Sequence, residues 1–189
     1  MSWIKTVERG DAEGVLREAY EWQAASLGEV TEFTQLGSLY PELVMERLRL
    51  YTVVEGAPSA LSPVERRMAA YVTSMLNGTP HCSSGLVHRL ADMGVTPSLM
   101  QTAARTPLAL GSGDPRLDAI AAYAARLTLQ PAEVDEADVQ RLRQHGLDDL
   151  AILDLNNIVA YYNYINRVAN GLGLKTEIPA DHARHALPR

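Results

Sequence analysis

The sequence is poorest in cysteine. Cys82 is the one thiol among 189 residues, so no disulfide can close within the chain and no cysteine-rich zinc site can form. An excess of positive charge is also missing. Lys plus Arg number 17 against 23 Asp plus Glu, for a net charge of −6. That balance favours solubility and gives no support for a nucleic-acid surface. No apolar run approaches the roughly 18 residues a membrane span needs. The opening Met1-Ser2-Trp3-Ile4-Lys5 stretch has no apolar signal core. Neither nucleic acid nor a membrane is therefore expected as a partner, and the expected compartment is the cytoplasm, where a lone thiol stays reduced. The five histidines are dispersed and no His/carboxylate pair has convincing ligand spacing, so neither a metal nor a dissociable cofactor is expected.

Strand signals are missing as well. No alternating apolar/polar run of strand length stands out, and Val, Ile and Thr fall at helical spacing. The hydrophobic fraction of 47% suits a globular core, and a chain this long can bury roughly 70% of its unfolded surface. The periodicity predicts an all-α fold of seven or eight helices. Residues 1–174 form a single domain in this reading, and residues 175–189, with Pro179 and Pro188, form a loosely held C-terminal tail. Asp11 reads as the N-cap of a first helix carrying Leu16, Ala19, Tyr20 and Gln23. Pro41 opens a second whose inner face is Leu43, Val44, Leu48, Tyr51 and Val54. Ser62-Pro63-Val64-Glu65 reads as a capping box with proline at the first helical position. Asn77-Gly78 reads as a stop signal. Further helices start at Thr79-Pro80, Thr96-Pro97, Asp114-Pro115, Asp135 and Asp148.

The segment that carries chemistry runs from Leu61 to His88. Thr79 is placed as an N-cap, Pro80 at N1 and Cys82 at N3. A cysteine in the first turn faces the positive end of the helix dipole and unpaired amides, which lowers a thiol pKa and favours the nucleophilic thiolate. The Thr79 hydroxyl is positioned to donate to the sulfur. His81 is the immediate neighbour. Each residue also has a structural reading. A lone cysteine often serves as a small buried hydrophobe, Glu65 is accounted for by its capping box, and His88 suits an exposed position.

These residues resemble the carboxymuconolactone decarboxylase-like superfamily, and within it the peroxidase-related proteins of the alkylhydroperoxidase D type. The likeness extends from Ser2-Trp3-Ile4, through Leu61-Ser62-Pro63-Val64-Glu65-Arg66 and Asn77-Gly78, to the run Ile158–Ala169. It implies an all-helical fold that assembles into trimers or hexamers, with a dimer as the smaller alternative. It also implies thiol-dependent reduction of hydroperoxides, an antioxidant activity. In active members a helix begins Cys-x-x-Cys, the second cysteine attacks the peroxide, the first resolves the sulfenic acid, and a Glu and a His relay the proton.

Here the first motif cysteine is Thr79, so a resolving thiol is missing. Cys82 corresponds to the attacking cysteine, Glu65 matches the relay Glu, and His81 matches a His found before the second cysteine in some members. The relay His position is Leu86. At about 100° per residue, Leu86 lies about 40° from Cys82 around the helix, His88 about 120° and His81 about 100°. The expected catalytic set is Cys82, Glu65 and His81, supported by Thr79 and His88. The expected partners are a small hydroperoxide and an external thiol or thiol protein that reduces the Cys82 sulfenic acid. The alternatives are an impaired family member acting as an oligomeric binding or interaction protein, and a decarboxylase-branch enzyme that does not use Cys82. On the last helix, Asn156, Asn163, Arg167 and Asn170 form a polar stripe that reads as a site lining, a subunit seam or a solvated face. Tyr161, Tyr162 and Tyr164 are expected to pack at an interface or core.

Overall fold

The structure, a computed structural model, describes residues 2–178. Among these residues there are nine α-helices and three short 3-10 turns, and no strand. The helices are α1 (Gly14–Leu27), α2 (Glu32–Leu36), α3 (Pro41–Glu55), α4 (Pro63–Leu76), α5 (Pro80–Asp92), α6 (Pro97–Arg105), α7 (Pro115–Leu129), α8 (Glu136–Gln144) and α9 (Asp149–Gly171). The expected all-α fold is present. The one helix the sequence did not announce is α2, whose five residues are too short to show a period. Its start is nonetheless capped, the Thr31 hydroxyl accepting from the Thr34 amide at 3.2 Å.

Two local expectations are corrected. Asp11 does not cap α1. It closes a 3-10 turn at Arg9–Asp11, and the helix begins at Gly14 after Glu13, which makes no side-chain cap. The extra turn carries Ala12, fully buried, into the α1/α3 core. Leu43 is exposed rather than internal. The buried face of α3 is Val44, Met45, Leu48 and Val54. No helix among the described residues is long and apolar enough to cross a membrane.

The core is organised around α4, in which every residue from Glu65 to Ser74 is buried. It packs against α5, α7 and α9. The capping box forms as its spacing predicts: Ser62 Oγ accepts from the Glu65 amide at 3.3 Å, and Glu65 Oε2 accepts from the Ser62 amide at 2.6 Å. A helix buried on all sides must neutralise its charged residues. Arg66 pairs with Asp154 on α9, Arg67 with Glu55 on α3, and Glu65 with Arg116 on α7 at 2.6 Å.

The α4–α5 turn is a Schellman motif. Thr79 N–H donates to Ser74 C=O at 3.1 Å and Gly78 N–H to Met75 C=O at 3.0 Å. Gly78 sits at φ +60°, a conformation that glycine adopts without a steric penalty. The polar stripe of α9 grips this turn. Asn170 Nδ2 donates to Asn77 C=O at 2.8 Å and to Thr79 Oγ1 at 3.0 Å, and Asn77 Nδ2 donates to Asn163 Oδ1 at 2.9 Å. Asn156 accepts from Tyr123 at 3.0 Å, while Arg167 is exposed. The stripe is thus largely an internal seam.

Residues 175–178 lie across α5. The Ile178 amide donates to Ser84 Oγ at 2.8 Å. Trp3 holds the preceding bend, its amide donating to Leu172 C=O at 2.9 Å and its ring lying where a Cβ on Gly173 would stand. The rest of the expected tail, with Pro179 and Pro188, is outside the described residues.

Glu65 therefore both caps α4 and ties it to α7. Glu65→Ala is expected to lower unfolding stability by about 1–3 kcal/mol, measured by urea denaturation. An unchanged midpoint would remove the structural role.

Candidate active site

A cavity of about 390 Å³ lies where α5 and α9 meet the α1/α3 pair. This volume is in the range of small-molecule pockets. Cys82, Gly85, Leu86 and Arg89 reach it from α5, and Tyr161, Tyr162 and Ile165 from α9. Arg47 and Tyr51 come from α3, Leu27 from α1, Val30, Glu32 and Phe33 from the α1–α2 segment, and Thr176 to Ile178 from the chain after α9. The loop entering α2 is fixed by buried Gln23, whose Oε1 accepts from the Thr31 amide at 3.0 Å. Arg47 stacks over the Phe33 ring at 4.9 Å and donates to Thr34 Oγ1 at 2.6 Å. Tyr162 donates to Glu55 at 3.2 Å, linking this wall to the Arg67–Glu55 pair.

Of the five expected site residues, Cys82 and His81 line this cavity, while Glu65, Thr79 and His88 do not. Glu65 sits at the start of α4, roughly 15 Å along the helix from the turn that leads to Cys82. Both its oxygens are occupied, by Ser62 N–H and by Arg116. Thr79 is at the N-cap position, but its side chain makes no capping bond; its hydroxyl accepts from Asn170 instead. His88 is half-buried on another face of α5, in line with its 120° offset from Cys82. Leu86, at the relay His position, is an apolar wall of the cavity.

Burial opposes the expected thiolate. Cys82 is buried, and burial pushes its thiol from an ordinary 9.0 up to about 12. That rise corresponds to roughly 4 kcal/mol. A helix N-terminus contributes about 0.3–1 kcal/mol, and about 2 at most. Desolvation wins, and the resting sulfur is a thiol. His81 is 6% exposed, and its Nδ1 lies 2.9 Å from Thr176 C=O. A carbonyl can only accept, so Nδ1 carries the proton and Nε2 keeps its lone pair. Burial lowers the His81 pKa, offset in part by Thr176 and by Glu32, so the ring is neutral near pH 7. The cavity is thus lined by a buried thiol and by a neutral imidazole of fixed tautomer.

No local pattern marks most of the walls, because they come from six segments. A signal exists for two of them: Tyr161 and Tyr162, expected at a core or interface, supply the edge-to-face aromatic corner of the cavity, 5.9 Å between ring centroids. Nothing local marked Arg47, Arg89 or Thr176. Among the described residues no group of three or more His, Cys, Asp or Glu is placed to hold a metal ion.

Residues 42–126 match the model of the carboxymuconolactone decarboxylase family. That segment runs from α3 into α7 and includes Glu65, His81 and Cys82. The fold is similar to the alkylhydroperoxidase AhpD core of an uncharacterised peroxidase-related protein from Ralstonia eutropha JMP134. The TM-score is 0.82 at 22% identity, covering 100% of this chain and 98% of that one. An uncharacterised peroxidase-related protein from Silicibacter sp. TM1040 matches with TM-score 0.74 at 25% identity, covering 88% of each chain. A cysteine-to-alanine variant of the debrominase Bmp8, solved in complex with 2,3,4-tribromopyrrole, matches with TM-score 0.70 at 19% identity, covering 95% of this chain and 93% of that one. No curated protein matches the sequence. The resemblance read from the sequence to this superfamily, and to its alkylhydroperoxidase D-like peroxidase-related proteins, holds.

The buried thiol sets a pH signature. Iodoacetamide alkylation of the folded chain should reach half its maximal rate above pH 11, against about pH 8.5–9 in urea. Because the folded pKa is raised, stability is unaffected below about pH 9 and falls as pH rises from 9 towards 12. A folded-state midpoint below 8.5 would overturn the desolvation argument.

Proposed function

We propose that this chain, which carries a carboxymuconolactone decarboxylase family segment on an alkylhydroperoxidase D-like fold, is a thiol-dependent oxidoreductase that reduces an organic hydroperoxide at Cys82. One observation carries the reading: the one thiol of the chain lines an apolar, aromatic-walled cavity together with a histidine of fixed tautomer. Such a cavity suits an organic hydroperoxide better than hydrogen peroxide.

The chemistry balances without a second cysteine. As the Cys82 sulfur attacks the distal peroxide oxygen, its proton passes to His81 Nε2, the O–O bond breaks, and the leaving alkoxide takes a proton from the imidazolium. The products are an alcohol and a Cys82 sulfenic acid. An external thiol then displaces water from that sulfur to give a mixed disulfide, and a second external thiol releases Cys82 and forms the external disulfide. With burial pushing the thiol up, the step needs a base, and in this reading His81, which lines the same cavity, supplies it. The raised pKa also favours the rival reading, a binding protein that does not turn over, and the same assay separates the two.

We place the expected self-association on the outer side of α3. Leu43, Leu50 and Val53 recur there at spacings of seven and three and are exposed, with Leu39 and Tyr40 just before the helix. A contiguous exposed apolar stripe of this kind marks an interaction surface.

Cumene hydroperoxide consumption with dithiothreitol as reductant should fall at least 100-fold in Cys82→Ala and 10- to 100-fold in His81→Gln. Equal rates for wild type and Cys82→Ala would leave the binding-protein reading. 2,3,4-Tribromopyrrole is the control probe: its Cys82-dependent loss, with the hydroperoxide untouched, would move the reading to dehalogenation. Light scattering on a sizing column should give an oligomer for wild type and a smaller species for Leu50→Glu/Val53→Glu. A monomeric wild type would remove the α3 interface.

A further inference from the structure

The arginines divide into two sets. Arg66, Arg67, Arg116 and Arg126 reach into the protein and each has a carboxylate partner: Asp154, Glu55, Glu65 and Asp138. The two arginines of the cavity, Arg47 and Arg89, are half-buried, and neither takes part in an ion pair among the described residues. Arg47 is engaged by the Thr34 hydroxyl and the Phe33 ring. Arg89 is less satisfied: its Nε is buried and makes no hydrogen bond among the described residues, as is also true of Arg67 Nε and Arg126 Nε, but those two guanidinium groups sit against a carboxylate and that of Arg89 does not. A buried guanidinium N–H without an acceptor is costly, and a planar fork of donors matches a carboxylate.

Its position adds direction. Arg89 follows Cys82 by seven residues on α5, about 20° away around the axis and roughly 10 Å along it. The two therefore share one face of one helix, with Gly85 and Leu86 between them as wall. A molecule held at Arg89 extends past these residues and the Tyr161–Tyr162 corner towards the sulfur. The cavity's acids, Glu29, Glu32 and Glu177, belong to the loop after α1, the first turn of α2 and the chain after α9. Glu32 and Glu177 are exposed, where solvent and salt screen them, and half-buried Glu29 is engaged in an interaction of its own. Ile178 closes the opposite side of this face, its Cδ1 standing 3.0 Å from where a Cβ on Gly85 would be.

We infer that the cavity takes a small organic acid, its carboxylate on the Arg89 guanidinium and its apolar body lying along α5 towards Cys82. This rests on the reading of the cavity as the substrate site and names the class of that substrate: a hydroperoxide borne by an aromatic or branched organic acid.

Binding is measured on the full chain in a Cys82→Ala background by ligand-observed NMR titration, with sodium benzoate as probe and benzamide as its neutral isostere. Benzoate should bind at least tenfold more tightly. The preference should shrink below threefold in Arg89→Gln and persist in Arg89→Lys. Equal affinity for the two probes, no binding of either, or a preference that survives in Arg89→Gln would overturn the inference. If Arg89→Gln does not fold, the benzoate/benzamide ratio in the parent chain decides. The outcomes also separate the two readings. A preference for benzoate in a chain that does not consume cumene hydroperoxide would retain the acid site and remove the proposed reaction. Turnover without that preference would remove the acid site alone.

Discussion

The burial of α4 on every side is the constraint from which the rest follows. A helix with one wet face could leave Glu65, Arg66 and Arg67 in water. This one cannot, since all three are buried. Each must find an opposite charge, because an unpaired ion inside a protein costs several kcal/mol. The three partners come from three different helices, α7, α9 and α3. Charge compensation thereby fixes where those helices lie around the centre, and apolar packing fills in between. Glu55 carries the constraint into the cavity, since it holds Arg67 on one oxygen and receives Tyr162 on the other. The aromatic corner of the site is therefore anchored through a buried ion pair.

The site itself illustrates a competition between two familiar effects. A helix N-terminus favours an anion, and a dry cavity forbids one. Around Cys82 burial pushes the thiol pKa up, and so outweighs the pull of the helix N-terminus. A thiol in that state resists stray oxidants and metals, which act on thiolates. Selectivity of this sort suits a chain with no second cysteine, in which an accidental sulfenic acid has no internal rescue.

Legibility in the sequence followed the range of the interactions. The capping box at Ser62–Glu65, the Asn77-Gly78 stop and the start of α5 at Thr79-Pro80 are local, and local spacing revealed them. The angular argument on α5 was also local, and it separated Leu86 from His88 correctly with respect to the cavity. Glu65 was misplaced because position in a motif says nothing about which end of a helix faces a pocket. The thiol's state is not legible locally, because the helix dipole is written in sequence, whereas burial depends on segments about 30 to 95 residues distant. Arg89 was unreadable for the same reason: that no carboxylate pairs with it among the described residues depends on how distant segments pack.

Trp3 closes over Gly173 and so holds the bend from which residues 174–178 cross α5. Those residues supply the carbonyl that sets the His81 tautomer and the Ile178 side chain that walls the cavity. Thr176, which bears that carbonyl, lies 95 residues beyond His81 in the chain. During synthesis, α4 and α5 leave the ribosome and can pair long before that carbonyl exists. Throughout that interval the nascent chain carries its sulfur without this wall, so the shielding of the thiol on that side waits on residues nearly a hundred positions downstream.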